Sequence, residues 1–113
     1  MPQLPLQGVR VLELGQLIAG PFAAKTLGDF GADIIKVEAT GGGDALRKWR
    51  MLRDGTSVWW QVQSRNKRSI AIDLKTEAGQ DVVRRLAGEA DVVIENFKPG
   101  KLEEWGIGWD QLH

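Results

Sequence analysis

Glycines, lysines and carboxylates are the residues in this chain whose spacing could do chemistry. Gly15 and Gly20 stand with four residues between them, after an apolar run and before a helical pattern. A phosphate-binding loop has that spacing, but Pro21-Phe22 follow where Lys-Ser or Lys-Thr would supply the phosphate lysine and the magnesium-binding hydroxyl. A nucleotide-hydrolysing loop is therefore not expected, and the G-x-G-x-x-G dinucleotide fingerprint is absent as well. What remains is a helix N-terminus whose free N–H groups can hold an anion or polar backbone, although a plain α/β turn has the same spacing. Gly41-Gly42-Gly43-Asp44 has the make-up of a ligand lid, and equally of a flexible connector. Arg65, Lys67, Arg68 and Lys75 form a local basic cluster able to meet phosphates through charge-assisted contacts; a solvated loop has the same composition. Trp49, Trp59 and Trp60 could stack on an adenine ring, but tryptophans are mostly core or interface anchors, and burial is expected for at least some of the five. Glu13, Asp33, Glu38, Asp44, Asp73 and Glu95 show no spacing that singles out a catalytic pair, and most are expected to be surface charges or caps.

Composition narrows the remaining chemistry. The chain has no cysteine, which excludes disulfides, thiolate metal sites and a cysteine nucleophile, and fits a reducing compartment. His113 is the only histidine and it is terminal, so a Ser-His-Asp arrangement lacks its base and a histidine metal site lacks its ligands. Lysine plus arginine equals aspartate plus glutamate at 15 each, giving no global basic field for nucleic acid. No apolar run approaches the roughly 20 residues of a membrane span. Residues 1–8 (MPQLPLQG) lack the basic start and apolar core of a signal peptide, and a cytoplasmic protein is expected. The last residues, GIGWDQLH, read as the first turn of a helix that nothing terminates, so a fragment of a longer protein is expected.

These residues need a frame. Pro2, Pro5 and Gly8 should keep the start extended. Residues 9–14 (VRVLEL) read as a largely buried strand ended by Gly15. Gly20-Pro21 opens a helix, with proline at home in the first helical position. Phe22, Ala23, Thr26, Leu27 and Phe30 fall on one face, and Gly31 is the expected left-handed cap. Residues 32–37 (ADIIKV) read as a second strand covered on both faces. Asp44 should N-cap a short helix over residues 45–50. Asp54-Gly55 marks a turn, and in residues 58–63 (VWWQVQ) β-propensity favours a strand over a helical turn. A basic turn over residues 64–68 precedes a strand at 69–74. A helix from Thr76 follows, with Val82, Val83, Leu86 and Ala90 as its apolar face. Residues 91–95 (DVVIE) read as another buried strand, and Pro99 opens a short helix through Trp105. The order β-α-β, connector, β-α-β predicts an α/β fold: a Rossmann-like layer with a mostly parallel sheet, and binding loops past the carboxyl ends of the strands.

The phrases LQGVRVLELGQLIAGPFAAKTLGDFGADIIKVE, GGGD, RNKRSIAIDLKTEAG and ADVVIENFKPGKLEEWGI, taken in order, closely resemble the N-terminal part of class III CoA-transferases. This is the family of formyl-CoA transferase, carnitine CoA-transferase and α-methylacyl-CoA racemase. The resemblance covers the chain from Leu6 on. It implies that residues 1–113 are the N-terminal part of the large, Rossmann-like domain of an interlocked homodimer. It implies an enzyme that moves CoA between an acyl-CoA and a small carboxylic acid, through an aspartyl nucleophile downstream of His113, so that this chain alone would be inactive. CoA is then a substrate, and no permanently bound cofactor, metal, nucleic acid or membrane is implied. By motif position, Ile18 and Ala19 would line the thiol end of CoA. Ile72, Asp73, Leu74 and Lys75 would contact adenosine and phosphates, and Asn96, Phe97 and Lys98 the nucleotide or pantetheine arm. Ala39 and Glu104 stand where the family often has arginine, which leaves the phosphates to Lys75, Lys98 or Lys101. The alternatives are an acyl-CoA racemase of the same family, which works by proton abstraction beside the thioester, and a non-catalytic CoA-binding module. LIAGPF in the first turn, in place of a GPGP-like wording, leans towards the transferase. Without partner segments, a two-faced parallel sheet is expected to leave apolar surface exposed.

Overall fold

The computed structural model describes residues 3–113, so the expectation for Pro2 lies outside the described residues. A four-stranded sheet runs β5-β2-β1-β6 across the molecule, with every neighbouring pair parallel. Its strands are β1 (Arg10–Glu13), β2 (Asp33–Glu38), β5 (Lys67–Ala71) and β6 (Val92–Ile94). The crossovers are helices, α1 (Ala19–Asp29) between β1 and β2 and α3 (Glu77–Gly88) between β5 and β6. Between β2 and β5 lie a 3-10 turn (Ala45–Lys48), a hairpin of β3 (Leu52–Arg53) and β4 (Thr56–Ser57), and α2 (Val58–Gln63). Two short helices, α4 (Lys101–Glu104) and α5 (Trp109–Leu112), follow β6. The α/β architecture expected from the alternation is the one found.

The two faces of the sheet carry different packing. Leu12, Leu14, Val37 and Ile72 meet Val83 and Ala87 of α3 and Ile107 on one side. Val11 and Ile34 meet Ala24 of α1 and Ala32 on the other. Burying apolar surface on both faces accounts for the near-continuous apolar character of β1 and β2.

Several local expectations are corrected. Pro5 and Gly8 do not keep the start extended: residues 5–8 form a turn, held by Leu6 N–H donating to Phe30 O at 2.8 Å. The buried stripe of α1 is Gly20, Pro21, Ala24 and Gly28, whereas Phe22 and Phe30 are each 52% exposed. Small side chains at i, i+4 and i+8 bring the helix backbone close to the sheet, which turns the large residues outward. Gly31 does take the left-handed conformation, at φ +106°. Residues 58–63 are helical, because the Ser57 hydroxyl caps the Trp60 N–H and the Arg47 guanidinium stacks 4.0 Å from the Trp60 ring. That local cap outweighs β-propensity, which in any case reports fit to a pleated surface. β5 begins at Lys67 and ends at Ala71, two residues earlier than expected at its start and three at its end. Residues 72–75 therefore fall in the loop beyond it. On α3, Val83 is buried but Val82 is 39% exposed. β6 is a short edge strand and not a buried one, with Val92 38% exposed. Met51, Phe22, Val58, Trp59 and Val62 leave apolar surface open to solvent. No helix among the described residues is long and apolar enough to cross a membrane.

Candidate functional site

In a parallel sheet all strands end on the same side, and the loops leaving them share that edge. Here those loops enclose a cleft of about 820 Å³. Leu14, Gly15 and Gln16 enter it from β1, residues 38–40 and Gly43-Asp44 from β2, and Ile72, Asp73, Leu74 and Lys75 from β5. Asn96, Phe97 and Lys98 enter it from β6, with Lys101 and Trp105 behind them. Seven of the nine sequence-selected residues thus meet at one cleft. Ile18 and Ala19 do not line it; both are exposed at the start of α1, beside the cleft-lining turn. A smaller depression of about 260 Å³ lies at the opposite, amino end of the strands, among Arg10, Asp33, Arg68 and Glu89.

The loops are shaped by short-range hydrogen bonds. The Asp73 carboxylate accepts from Lys75 N–H at 3.0 Å, and Asp73 O accepts from the Thr76 hydroxyl at 2.9 Å. The Thr76 hydroxyl in turn caps α3 by accepting from Gly79 N–H at 3.0 Å. Gly79 is needed for this approach, since a Cβ there would overlap the Asp73 carbonyl oxygen. On the facing wall the Asn96 amide clasps Gln16, accepting from its N–H and donating to its carbonyl, each at 2.8 Å. A Cβ on Gly15 would lie 2.5 Å from Asn96 Oδ1 and 3.0 Å from Gly20 Cα, so both glycines are dictated by close approach of the chain to itself. Asn96 lines the cleft, but its amide is largely engaged by the turn. Phe97 packs edge-on to Trp105 with ring centroids 5.3 Å apart, and Lys101 Nζ sits 5.3 Å from the Trp105 ring. Lys75, Lys98 and Lys101 therefore supply positive charge around a partly apolar floor.

Beneath the cleft lies a charge network that reading the sequence missed. Lys36 is 1% exposed; its ammonium meets Glu13 at 2.6 Å, Asp44 at 2.7 Å and the Gly15 carbonyl at 3.1 Å. Lys67, whose side chain is 2% exposed, meets the other Glu13 oxygen at 2.7 Å and donates to Pro21 O at 2.9 Å. Glu13 Oε1 and Asp44 Oδ2 have no directed hydrogen bond among the described residues, and each faces only the lysine ammonium at 2.7 Å. Glu38 accepts from Arg47 Nε and Nη2, both at 2.7 Å, from Asp44 N–H at 2.8 Å and from the Ser69 hydroxyl. Burial alone would raise the Glu38 carboxyl; the Arg47 guanidinium, the Asp44 N–H and the Ser69 hydroxyl outweigh it and hold the group at about 2. The hydrogen bond to Glu38 raises Arg47 above its ordinary value. Burial draws Lys67 below the usual ammonium range, against the pull of Glu13.

Glu13, Glu38 and Asp44 are thus buried and not surface charges, although Asp44 does cap the 3-10 turn by accepting from Leu46 N–H at 2.9 Å. Lys67 leaves the expected solvated basic cluster and enters the protein, while Arg68 pairs with Asp33 at the surface. A signal was present: Glu13 and Lys36 interrupt apolar strands, and the strand register sets them side by side. Among the described residues no group of carboxylates or histidines is arranged to hold a metal ion. Trp49 and Trp59 pack edge-on at 5.7 Å and do not line the cleft.

Known proteins resemble this chain in sequence and in fold. Over 113 residues the chain is 56% identical to succinyl-CoA–D-citramalate CoA-transferase of Chloroflexus aurantiacus, covering 99% of this chain and 28% of that protein. It is 46% identical over 109 residues to succinyl-CoA:glutarate CoA-transferase of Mus musculus, covering 96% of this chain and 25% of that one. Among solved structures, a hypothetical protein from Mycobacterium tuberculosis superposes with a TM-score of 0.90 at 43% identity, over 99% of this chain and 31% of that one. A CaiB/BaiF family protein from Brucella suis gives 0.88 at 44% identity, over 98% and 30%. The chain therefore spans between a quarter and a third of the length of these relatives. A sequence model of CoA-transferase family III matches residues 6–113, and the chain belongs to that family.

Proposed function

We propose that this chain is the N-terminal part of an enzyme that transfers CoA from an acyl-CoA to a small carboxylic acid. The observation that supports it most is the cleft, where the loops after β5 and β6 set Lys75 and Lys98 around the apolar side chains of Ile72 and Phe97. A CoA molecule has that pattern: anionic phosphates, a flat adenine and a flexible, mostly apolar arm. In this reading Ile72, Asp73, Leu74 and Lys75 hold the adenosine and phosphates. Asn96, Phe97 and Lys98 hold the nucleotide or the pantetheine arm, and Ile18 and Ala19 border the thiol end. Lys75, Lys98 and Lys101 take over the phosphate contacts that Ala39 and Glu104 do not make.

The chemistry proposed is covalent carboxylate catalysis. An aspartate beyond His113 attacks the thioester carbonyl and expels CoA thiolate, forming a mixed anhydride. The thiolate then attacks the aspartyl carbonyl, which releases the donor acid and leaves an aspartyl-CoA thioester. The acceptor carboxylate attacks that thioester, and the returning thiolate completes the new acyl-CoA while freeing the aspartate. The donor we infer is succinyl-CoA and the acceptor a short dicarboxylic or hydroxy acid, after the names of the relatives. The working form is proposed to be a cytoplasmic homodimer that covers part of the open apolar surface.

The test is an assay of the full-length protein with succinyl-CoA and a panel of D-citramalate, L-malate and glutarate, with products read by mass spectrometry. Formation of a new acyl-CoA with stoichiometric succinate is expected. Deuterium exchange at the α-carbon without CoA transfer would overturn the reading in favour of a racemase. Hydroxylamine trapping should mark one aspartate as a hydroxamate, and size-exclusion chromatography with light scattering should give twice the monomer mass.

A further inference from the structure

The turn between β1 and α1 holds a non-glycine residue in the left-handed region: Leu17 has φ 64°. Such a conformation disfavours a residue with a Cβ by roughly tenfold, and it persists where the surroundings over-determine it. Here they do. Leu17 N–H donates to Asp44 Oδ1 at 3.0 Å, across 27 residues of sequence. The Gly15 carbonyl accepts from Lys36, and both backbone polar atoms of Gln16 are clasped by Asn96. Three consecutive residues of the turn are thus tied to side chains from β2, from the glycine-rich loop and from the end of β6.

Lys36 is the hub of this arrangement. Its ammonium donates to Glu13 of β1 and to the Gly15 carbonyl of the turn, and lies 2.7 Å from Asp44 Oδ2 of the loop as an ion pair. Asp44 divides its two oxygens accordingly: Oδ2 faces Lys36, while Oδ1 takes the N–H groups of Leu17 and Leu46. The side chains of Lys36 and Asp44 are each 1% exposed. Gly15, Gln16 and Asp44 all line the cleft, but Lys36 does not, so the lysine cannot act on a ligand there directly.

We propose that Lys36 and Asp44 are positioning residues. Together they hold Leu17 left-handed and so fix the Gly15–Gln16 wall against the glycine-rich loop before substrate arrives. Only the activity readout rests on the CoA-transferase reading.

The experiment uses the full-length protein carrying Asp44→Asn, Asp44→Ala, and Asp44→Ala combined with Leu17→Gly. Glycine adopts the left-handed region without a pin, so it replaces what Asp44 supplies. Asp44→Ala is expected to lower kcat by about ten- to a hundredfold, with KM for succinyl-CoA within about twofold, as misplacement of a wall does. Adding Leu17→Gly is expected to restore about tenfold of that loss. A general loss of packing around a buried charge would not be restored by that change. Residue-resolved hydrogen exchange of the Leu17 amide supplies a readout independent of catalysis. Asp44→Asn, which keeps an oxygen at the site but removes its charge, is expected to speed that exchange at least about tenfold by releasing the side chain from Lys36. A double variant no more active than Asp44→Ala, or unchanged Leu17 exchange in Asp44→Asn, would overturn the proposal. If the wild-type protein lacks CoA transfer, the function assigned to the cleft fails alone, and the exchange measurement still decides the role of Asp44.

Discussion

Replacing Lys36 by methionine keeps the length of the side chain and removes its charge. The buried cluster contains three carboxylates, Glu13, Glu38 and Asp44, and three cations, Lys36, Arg47 and Lys67, so it is neutral. Lys36→Met leaves it one negative charge in excess. Glu13 keeps Lys67, and Glu38 keeps Arg47; among the described residues Asp44 is left with no cation in contact. At an effective dielectric of about 20, each of the two Lys36 contacts contributes about 6 kcal/mol of attraction. Desolvation of the ions offsets most of this, and removing one partner of a buried pair costs about 3–5 kcal/mol. That is a large part of the roughly 5–15 kcal/mol that holds a domain together. Urea denaturation of the full-length protein, followed by tryptophan fluorescence, should show the earliest transition shifted by this amount. Adding Asp44→Asn, which removes the stranded charge, should recover at least about 1 kcal/mol, the worth of an uncompensated polar group. A loss below about 1 kcal/mol in Lys36→Met, or no recovery in the double variant, would refute the buried ion pairs as the interactions that set the stability of this region.

Three further outcomes are expected. Glu38 is held at about 2 against an ordinary 4.5, so its contribution is present above pH 4.5 and lost as pH falls from there towards 2. Stability curves between pH 6 and pH 2 should lose on the order of 3 kcal/mol more in the wild type than in Glu38→Gln; parallel curves would argue against the Arg47 and Ser69 contacts. Gly79→Ala places a Cβ on the Asp73 carbonyl oxygen, and the forced shift of the loop after β5 should cost about 1–3 kcal/mol by thermal unfolding, with CoA affinity falling as well. Lys75→Ala should weaken CoA binding in calorimetry by roughly tenfold, lower its salt dependence and leave the acceptor acid's KM within about twofold; unchanged CoA affinity would count against the cleft as its site.

The order of elements was legible because apolar periodicity is a local property. β1, α1, β2, α3 and β6 are each marked by runs and caps that lie within a dozen residues. Thr76, Asp44 and Gly31 cap or terminate through neighbours two or three positions away, and so are readable in the same manner. Where two local signals competed, the chain did not resolve them. Residues 58–63 carry β-prone side chains, and only the Ser57 cap and the Arg47 stack, which depend on how the preceding turn is placed, make them a helix. Large apolar residues normally mark the inward face of a helix, but close packing of α1 on the sheet selects small ones there.

The sequence by itself determined the α/β alternation, the resemblance to class III CoA-transferases and the loop after β6, whereas it ran β5 on through Leu74, where the structure ends that strand at Ala71 and gives residues 72–74 to the cleft wall. It also placed Gly15 and Gly20 at the turn where the chain must approach itself. Tertiary structure alone decided which charges are buried. Glu13 and Lys36 are 23 residues apart, and Glu13 and Lys67 54 apart; only parallel strand register brings them within 2.7 Å. A carboxylate in a sequence carries no mark of whether water or an ammonium will face it. That depends on what the fold excludes, which is why residues expected at the surface became the support beneath the cleft.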